Sequence, residues 1–153
     1  MNAATAPAGG LRVLVADDEP PARSELIYLL QREPGIGPIC EAEDGLAALQ
    51  RMAEFRPHAV LLDIQMPGVD GLTLAQTLEA WPGERPQVVF TTAYDEYAIA
   101  AFELNAVDYL LKPVQPVRLS RALARLQSRL TAPAPSPPDL EGLLRQMGRQ
   151  PWL

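Results

Sequence analysis

Cysteine, histidine and long apolar runs are nearly missing from this sequence, and each gap removes a class of protein. The one cysteine, Cys40, excludes an internal disulfide framework and fits a reducing compartment. No run of about 18 apolar residues occurs, so no helical membrane span is expected. The opening MNAATAPAGG lacks the basic patch and apolar stretch of a secretory signal. A cytoplasmic location without membrane attachment is the expectation. The one histidine, His58, has no second histidine and no serine–acid pair placed with it, so a structural or exposed role is expected. Bases are scarce at first: residues 1–112 hold 17 acids and 7 bases, whereas residues 113–153 hold 2 acids and 6 arginines. An acidic body argues against non-specific nucleic-acid binding by this segment.

What is present is an ordinary globular composition: 153 residues, 48% apolar and 21% charged, enough for one domain with a modest excess at its ends. Strand-like apolar runs alternate with amphipathic helical segments. LRVLVA (11–16) reads as a strand, and a helix follows from about Pro20 to Arg32, its prolines where a first turn tolerates them. PICEAE (38–43) is a weaker strand, leading into a helix over 44–55. AVLLD (59–63) is a strand, and a helix over 70–80 follows with Asp70 as its cap. QVVFT (87–91) precedes a helix over 95–105. VDYLL (107–111) is the last strand, and a final helix runs from about Gln115 to Leu130. Five strands in strict alternation with five helices demand an α/β fold with a mostly parallel sheet covered on both faces. Such sheets gather ligands at the carboxyl ends of their strands.

Residues 1–10 are expected to be disordered. After Leu130 the composition changes: TAPAPSPP (131–138) reads as a semi-rigid extended linker. Beyond it, Leu140, Leu143, Leu144 and Met147 form one apolar helical stripe with no obvious partner. The reading is that a second domain would begin here; the alternative is a frayed tail packed back on the domain.

The strand ends deliver Asp17 and Asp18, Asp63, Thr91 and Thr92, and Lys112. In a parallel sheet these positions share one edge. Three carboxylates brought together repel one another unless a cation sits among them. Oxygen donors without a nearby histidine or cysteine favour Mg²⁺. A lysine and a hydroxyl facing that cluster suit a phosphoryl group. Taken singly the residues allow plainer readings: Asp17-Asp18 as a helix cap, Asp63 as a turn residue, Lys112 as a solvated charge. The four strand ends together point to a site.

The stretches VLVADDEP, VLLDIQMPGVDG, VVFTTAYDEYA and NAVDYLLKPV resemble the receiver domain of two-component response regulators over about residues 11–130. The forms DDEPPAR and TTAYDEYAIAAFELNAVDYLLKPV look specifically like the LytTR (AlgR/LytR-type) transcription regulators. The resemblance implies a CheY-like, flavodoxin-like (βα)5 doubly wound sheet of order 2-1-3-4-5. It implies Asp63 as the phosphoacceptor, receiving phosphate from a sensor histidine kinase, in a protein that is not an enzyme beyond its own phosphorylation and dephosphorylation. Mg²⁺ would be held by Asp18, by Asp17 directly or through water, by Asp63 and by the backbone carbonyl of Gln65. Lys112 and the hydroxyl of Thr92 would bind phosphoryl oxygens, and the peptide before Pro113 would be cis. Thr92 and Tyr109 would form the switch, and DNA would be contacted only through a C-terminal domain beyond the linker.

Two further expectations concern the surface. Asp95, Glu96, Glu103 and Asp108 form an acidic strip, and Arg118, Arg121, Arg125 and Arg129 a basic one. Together they suit a two-fold homodimer formed on phosphorylation, unless both strips are merely solvated. Gln65 and Tyr94 flank the line of water attack in this family, and Tyr94 is expected to slow hydrolysis. The rival readings are a Mg²⁺-dependent phosphohydrolase of haloacid dehalogenase type, a flavin module, and a stand-alone receiver acting by protein contact. The first needs an acid where Gln65 stands, and the second an uncharged phosphate loop.

Overall fold

Each of the apolar runs above can be buried on both faces only between two layers of helix, and that requirement organises the chain. The computed structural model describes residues 9–131; the first eight residues and the linker and apolar stripe from 132 onward lie outside the described residues. The elements in order are β1 (Leu11–Ala16), α1 (Pro20–Gln31), β2 (Ile36–Ala42), α2 (Gly45–Phe55), β3 (Ala59–Asp63), α3 (Gly71–Leu78), β4 (Gln87–Thr92), a 3-10 turn (Asp95–Tyr97) running into α4 (Ala98–Glu103), β5 (Asp108–Leu111) and α5 (Pro116–Thr131). The strands pair in parallel in the order β2-β1-β3-β4-β5. This is the doubly wound flavodoxin-like sheet.

Strand alternation divides the core in two. Leu14, Ala16, Val60, Leu62, Phe90 and Tyr109 face α2, α3 and α4, where Met52, Leu74, Leu78, Ala98 and Ala101 meet them. Val13, Val15, Leu61, Val89 and Leu110 face α1 and α5, meeting Leu26, Leu30, Leu119, Leu123 and Leu126. The α5 leucine seam therefore faces inward. Asp44 and Asp70 cap α2 and α3, accepting from the N–H groups of Ala47 and Thr73 at 2.8 Å each. None of the helices among the described residues is long and apolar enough to cross a membrane.

Two elements differ from expectation. β2 begins at Ile36 rather than Pro38, because a bulge absorbs Gly37-Pro38: Leu11 pairs with Ile36, but Val13 pairs with Ile39. An edge strand tolerates a proline at a bulge. The single helix expected over 95–105 is a 3-10 turn and a six-residue helix, and the left-handed backbone of Asn105 (φ 62°) follows its end.

Candidate functional site

The strand register brings the polar residues to one edge. Ala16 lies beside Leu62, Asp63 beside Thr91, and Thr92 beside Leu111, so Asp17, Asp63, Thr92 and Lys112 follow or end neighbouring strands. Carboxylate oxygens of Asp17, Asp18 and Asp63 lie within 4.8 Å of one another. Asp17 and Asp63 are buried and Asp18 is exposed, so the cluster opens to solvent on one side.

Local backbone fixes these side chains. Asp17 Oδ1 accepts from the N–H of Glu19 at 2.9 Å, and Asp63 Oδ1 accepts from the N–H of Gln65 at 3.1 Å. Each turn directs one carboxylate oxygen to its own loop and leaves the other to the site. Gly71 opens α3 directly against the end of β3. A Cβ there would sit 2.4 Å from the carbonyl oxygen of Asp63, so only glycine fits without displacement.

Lys112 supplies the opposing charge. Its Nζ stands 2.9 Å from Asp17 Oδ2, 3.1 Å from Asp63 Oδ2 and 3.2 Å from Glu19 Oε1. One ammonium thus faces three carboxylates. The peptide from Lys112 to Pro113 is cis. Burial raises the Asp63 pKa to about 6 and the negative charge of Asp17 adds to the rise, while Lys112 and the Gln65 N–H oppose it. For Lys112, burial disfavours the ammonium, but the close carboxylates of Asp17 and Asp63 outweigh it and raise its pKa.

These residues fit a hard divalent cation. Asp17 Oδ2 is buried and, although within ion-pair distance of Lys112, receives no aligned hydrogen bond. A buried carboxylate oxygen with incomplete coordination, on a residue clustered with two other carboxylates, belongs to the kind of donor set that Mg²⁺ takes.

The hydroxyl of Thr92 is buried and accepts from the N–H of Tyr94 at 3.2 Å. Tyr109 is fully buried in the sheet face covered by α2, α3 and α4, and its O–H donates to the carbonyl of Tyr94. Burial accordingly raises its pKa. Tyr94, expected to screen the site, exposes 49% of its surface. Tyr97 reaches the acceptor loop, where its hydroxyl accepts from Gln65 Nε2 at 3.3 Å. Sequence reasoning passed over Glu19, Gly71 and Tyr97. All three lie inside the matching stretches, beside better-marked neighbours.

The charged strips need correction. Asp108 is buried, not exposed, and forms a two-pronged pair with Arg118: Nη1 to Oδ2 at 2.9 Å and Nη2 to Oδ1 at 2.5 Å. A carboxylate on the sheet face beneath α5 must be paired, and the first turns of that helix supply the partner. Arg129 is also buried, donating to the carbonyl of Asn105 at 2.8 Å. Arg125 is half-buried, whereas Glu96, Glu103 and Arg121 are exposed. His58 has the structural role expected of it: Nδ1 accepts from the N–H of Arg12 at 2.9 Å, and burial followed by the Arg12 charge lowers its pKa. It lines a larger concavity with Arg12, Trp81 and Arg85 at the opposite edge of the sheet, which shares no residue with the carboxylate cluster.

The family described as response regulator receiver domain matches residues 13–124. An uncharacterized response regulatory protein of Yersinia pestis is 48% identical over 120 residues, covering 78% of this chain and 50% of that protein. Transcriptional regulatory protein BtsR of Escherichia coli K12 is 44% identical over 117 residues, covering 76% and 48%. The chain spans about half the length of the curated relatives it matches. The solved response regulatory domain of protein mrkE from Klebsiella pneumoniae superposes with a TM-score of 0.71 at 36% identity, covering 77% of this chain and 96% of that one. The REC domain of AraT, a response regulator from Geobacillus stearothermophilus, gives 0.70 at 36% identity, covering 78% and 95%.

Proposed function

The chain belongs to the response regulator receiver-domain family of two-component systems, and on that premise we propose that Asp63 accepts a phosphoryl group from a sensor histidine kinase. The observation that carries this reading is the single Lys112 ammonium held 2.9 Å from Asp17 and 3.1 Å from Asp63, with a buried Asp17 oxygen lacking an aligned donor. An oxygen of Asp63 forms the new bond to phosphorus as the bond to the kinase histidine nitrogen breaks, and that nitrogen keeps the electron pair and takes up a proton. Asp17, Asp18, Asp63 and the backbone carbonyl of Gln65 would hold Mg²⁺, which offsets the negative charge of the carboxylates and of the phosphoryl group. Lys112 contributes a fixed positive charge toward a phosphoryl oxygen. Thr92 Oγ accepts from Tyr94 and has its own proton to donate to another.

The switch runs through one residue. The N–H of Tyr94 is held by Thr92 and its carbonyl by Tyr109. A shift of Thr92 toward a phosphoryl oxygen therefore pulls on the backbone that positions Tyr109, and biases the face built from α4, β5 and α5. Glu96, Glu103 and Arg121, with exposed Ile99 and Val117, equip that face for a two-fold homodimer. The LytTR-like stretches, the proline-rich linker and the name of BtsR as a transcriptional regulatory protein support control of an attached DNA-binding domain. The phosphohydrolase reading fares worse, because the amide of Gln65 cannot act as a general acid, and the relatives are named as regulators.

Intact-mass analysis after incubation with acetyl phosphate and Mg²⁺ tests the acceptor. One phosphoryl mass is expected on the wild type and none on Asp63→Asn; an adduct on both moves the acceptor elsewhere.

A further inference from the structure

The hydrogen bond from Gln65 Nε2 to Tyr97 Oη joins the loop after β3 to the turn after β4, two segments that flank the carboxylate cluster. Both residues line one cleft together with Asp18, Met66 and Pro67. Gln65 is tied at two points: its backbone N–H donates to Asp63 Oδ1, and its side chain donates to Tyr97. Tyr97 is itself anchored, since it is half-buried against the core and its backbone contacts the hydroxyl of Tyr109.

We propose that Tyr97 is a positioning residue that holds the Gln65 side chain fixed beside Asp63 and thereby lengthens the life of the phosphoryl group there. The proposal rests on Asp63 being the acceptor. In hydrolysis, water attacks phosphorus, the bond from phosphorus to the Asp63 oxygen breaks, and the carboxylate and dihydrogen phosphate are released, with both water protons on the phosphate. A primary amide next to the phosphorus can orient such a water, as glutamine does in other phosphoryl-transfer sites. The Gln65 amide N–H that bonds Tyr97 is committed to the strap, and its carbonyl is held with it. The strap thus withholds from water an uncharged side chain able to direct it. Tyr94, half-exposed and bound to the switch through its backbone, plays no part in that contact.

The test uses the full chain, phosphorylated with acetyl phosphate and Mg²⁺, desalted, and followed by intact mass as the adduct decays. Tyr97→Phe keeps the ring and removes the hydroxyl. It is expected to shorten the adduct lifetime about 3- to 10-fold, the effect of losing one ordinary hydrogen bond, while the rate of adduct formation is unchanged. In a Gln65→Leu background the same Tyr97→Phe change is expected to leave the lifetime unaltered, because the group it releases is gone. A purely structural role for Tyr97 predicts the same loss in both backgrounds. An unchanged lifetime in Tyr97→Phe, or a shortening that persists in Gln65→Leu, overturns the proposal. Failure of the wild type to form any adduct overturns the acceptor assignment beneath it and is distinguishable at once.

Discussion

Asp63 is held ionised against its surroundings: burial and the Asp17 charge favour its neutral form, and Lys112 only partly offsets them. The unfolded carboxyl titrates near 3.8 and the folded one at about 6, so the folded state binds the extra proton between those values. That contribution to stability is therefore greatest at low pH and is lost as the pH rises through 6. Asp63→Asn removes the cost of the buried charge. Without divalent cations it is expected to raise stability at pH 7.5 by roughly 2–3 kcal/mol and to show a smaller gain at pH 4.5. Urea denaturation at the two pH values checks this. Comparing the two proteins cancels His58, whose depressed pKa acts with the opposite sign in the same range. Mg²⁺ is expected to stabilise the wild type far more than the variant; equal stabilisation would place the cation away from Asp63.

At the scale of elements, the sequence was most informative where side-chain period and backbone agreed. The apolar runs of β1, β3 and β4 are legible because these inner strands are covered on both faces, and the Asp70 cap because a carboxylate precedes the helical pattern; Asp44, which the pattern places inside its helix, caps it from outside. Thr92, Lys112 and the aspartates fell on one edge because parallel topology alone puts them there. The charged strips were misread because charge was counted without orientation. Asp108 shares the alternation of Leu110, hence the α5 face, and an acid there needs a helix partner. The short α4 was obscured because a 3-10 turn and an α-helix both accept the run DEYAIAAFE.

Arg118→Ala leaves the Asp108 carboxylate buried and unpaired and is expected to destabilise the fold by about 3–5 kcal/mol. Thermal melting checks it, and the same reason makes Arg118 a poor site for testing an interface. Gly71→Ala forces α3 away from the carbonyl of Asp63, with an expected loss of about 1–3 kcal/mol and weaker Mg²⁺ binding in titration calorimetry.

For the whole molecule, the corrected face retains fewer charges than the sequence suggested, with Glu96, Glu103 and Arg121 exposed beside Ile99 and Val117. Arg121→Glu is expected to weaken the proposed phosphorylation-dependent dimer by about 10-fold or less, the range of one partly exposed ion pair. Sedimentation velocity with and without acetyl phosphate reads the change, and dimers of undiminished strength would locate the interface on another face.

The two arginines withdrawn from that face have another consequence. Arg118 rivets the first turns of α5 to β5, and Arg129 rivets its last turns to the backbone at Asn105. Between them the helix runs about 16 Å across the sheet, with Leu119, Leu123 and Leu126 buried along its underside. A rod fastened at both ends and bedded along its length does not flex; it tilts as one piece. Under the proposed switch, a displacement at the Lys112 end would therefore reach residue 131, the last turn of the helix, as a change of angle.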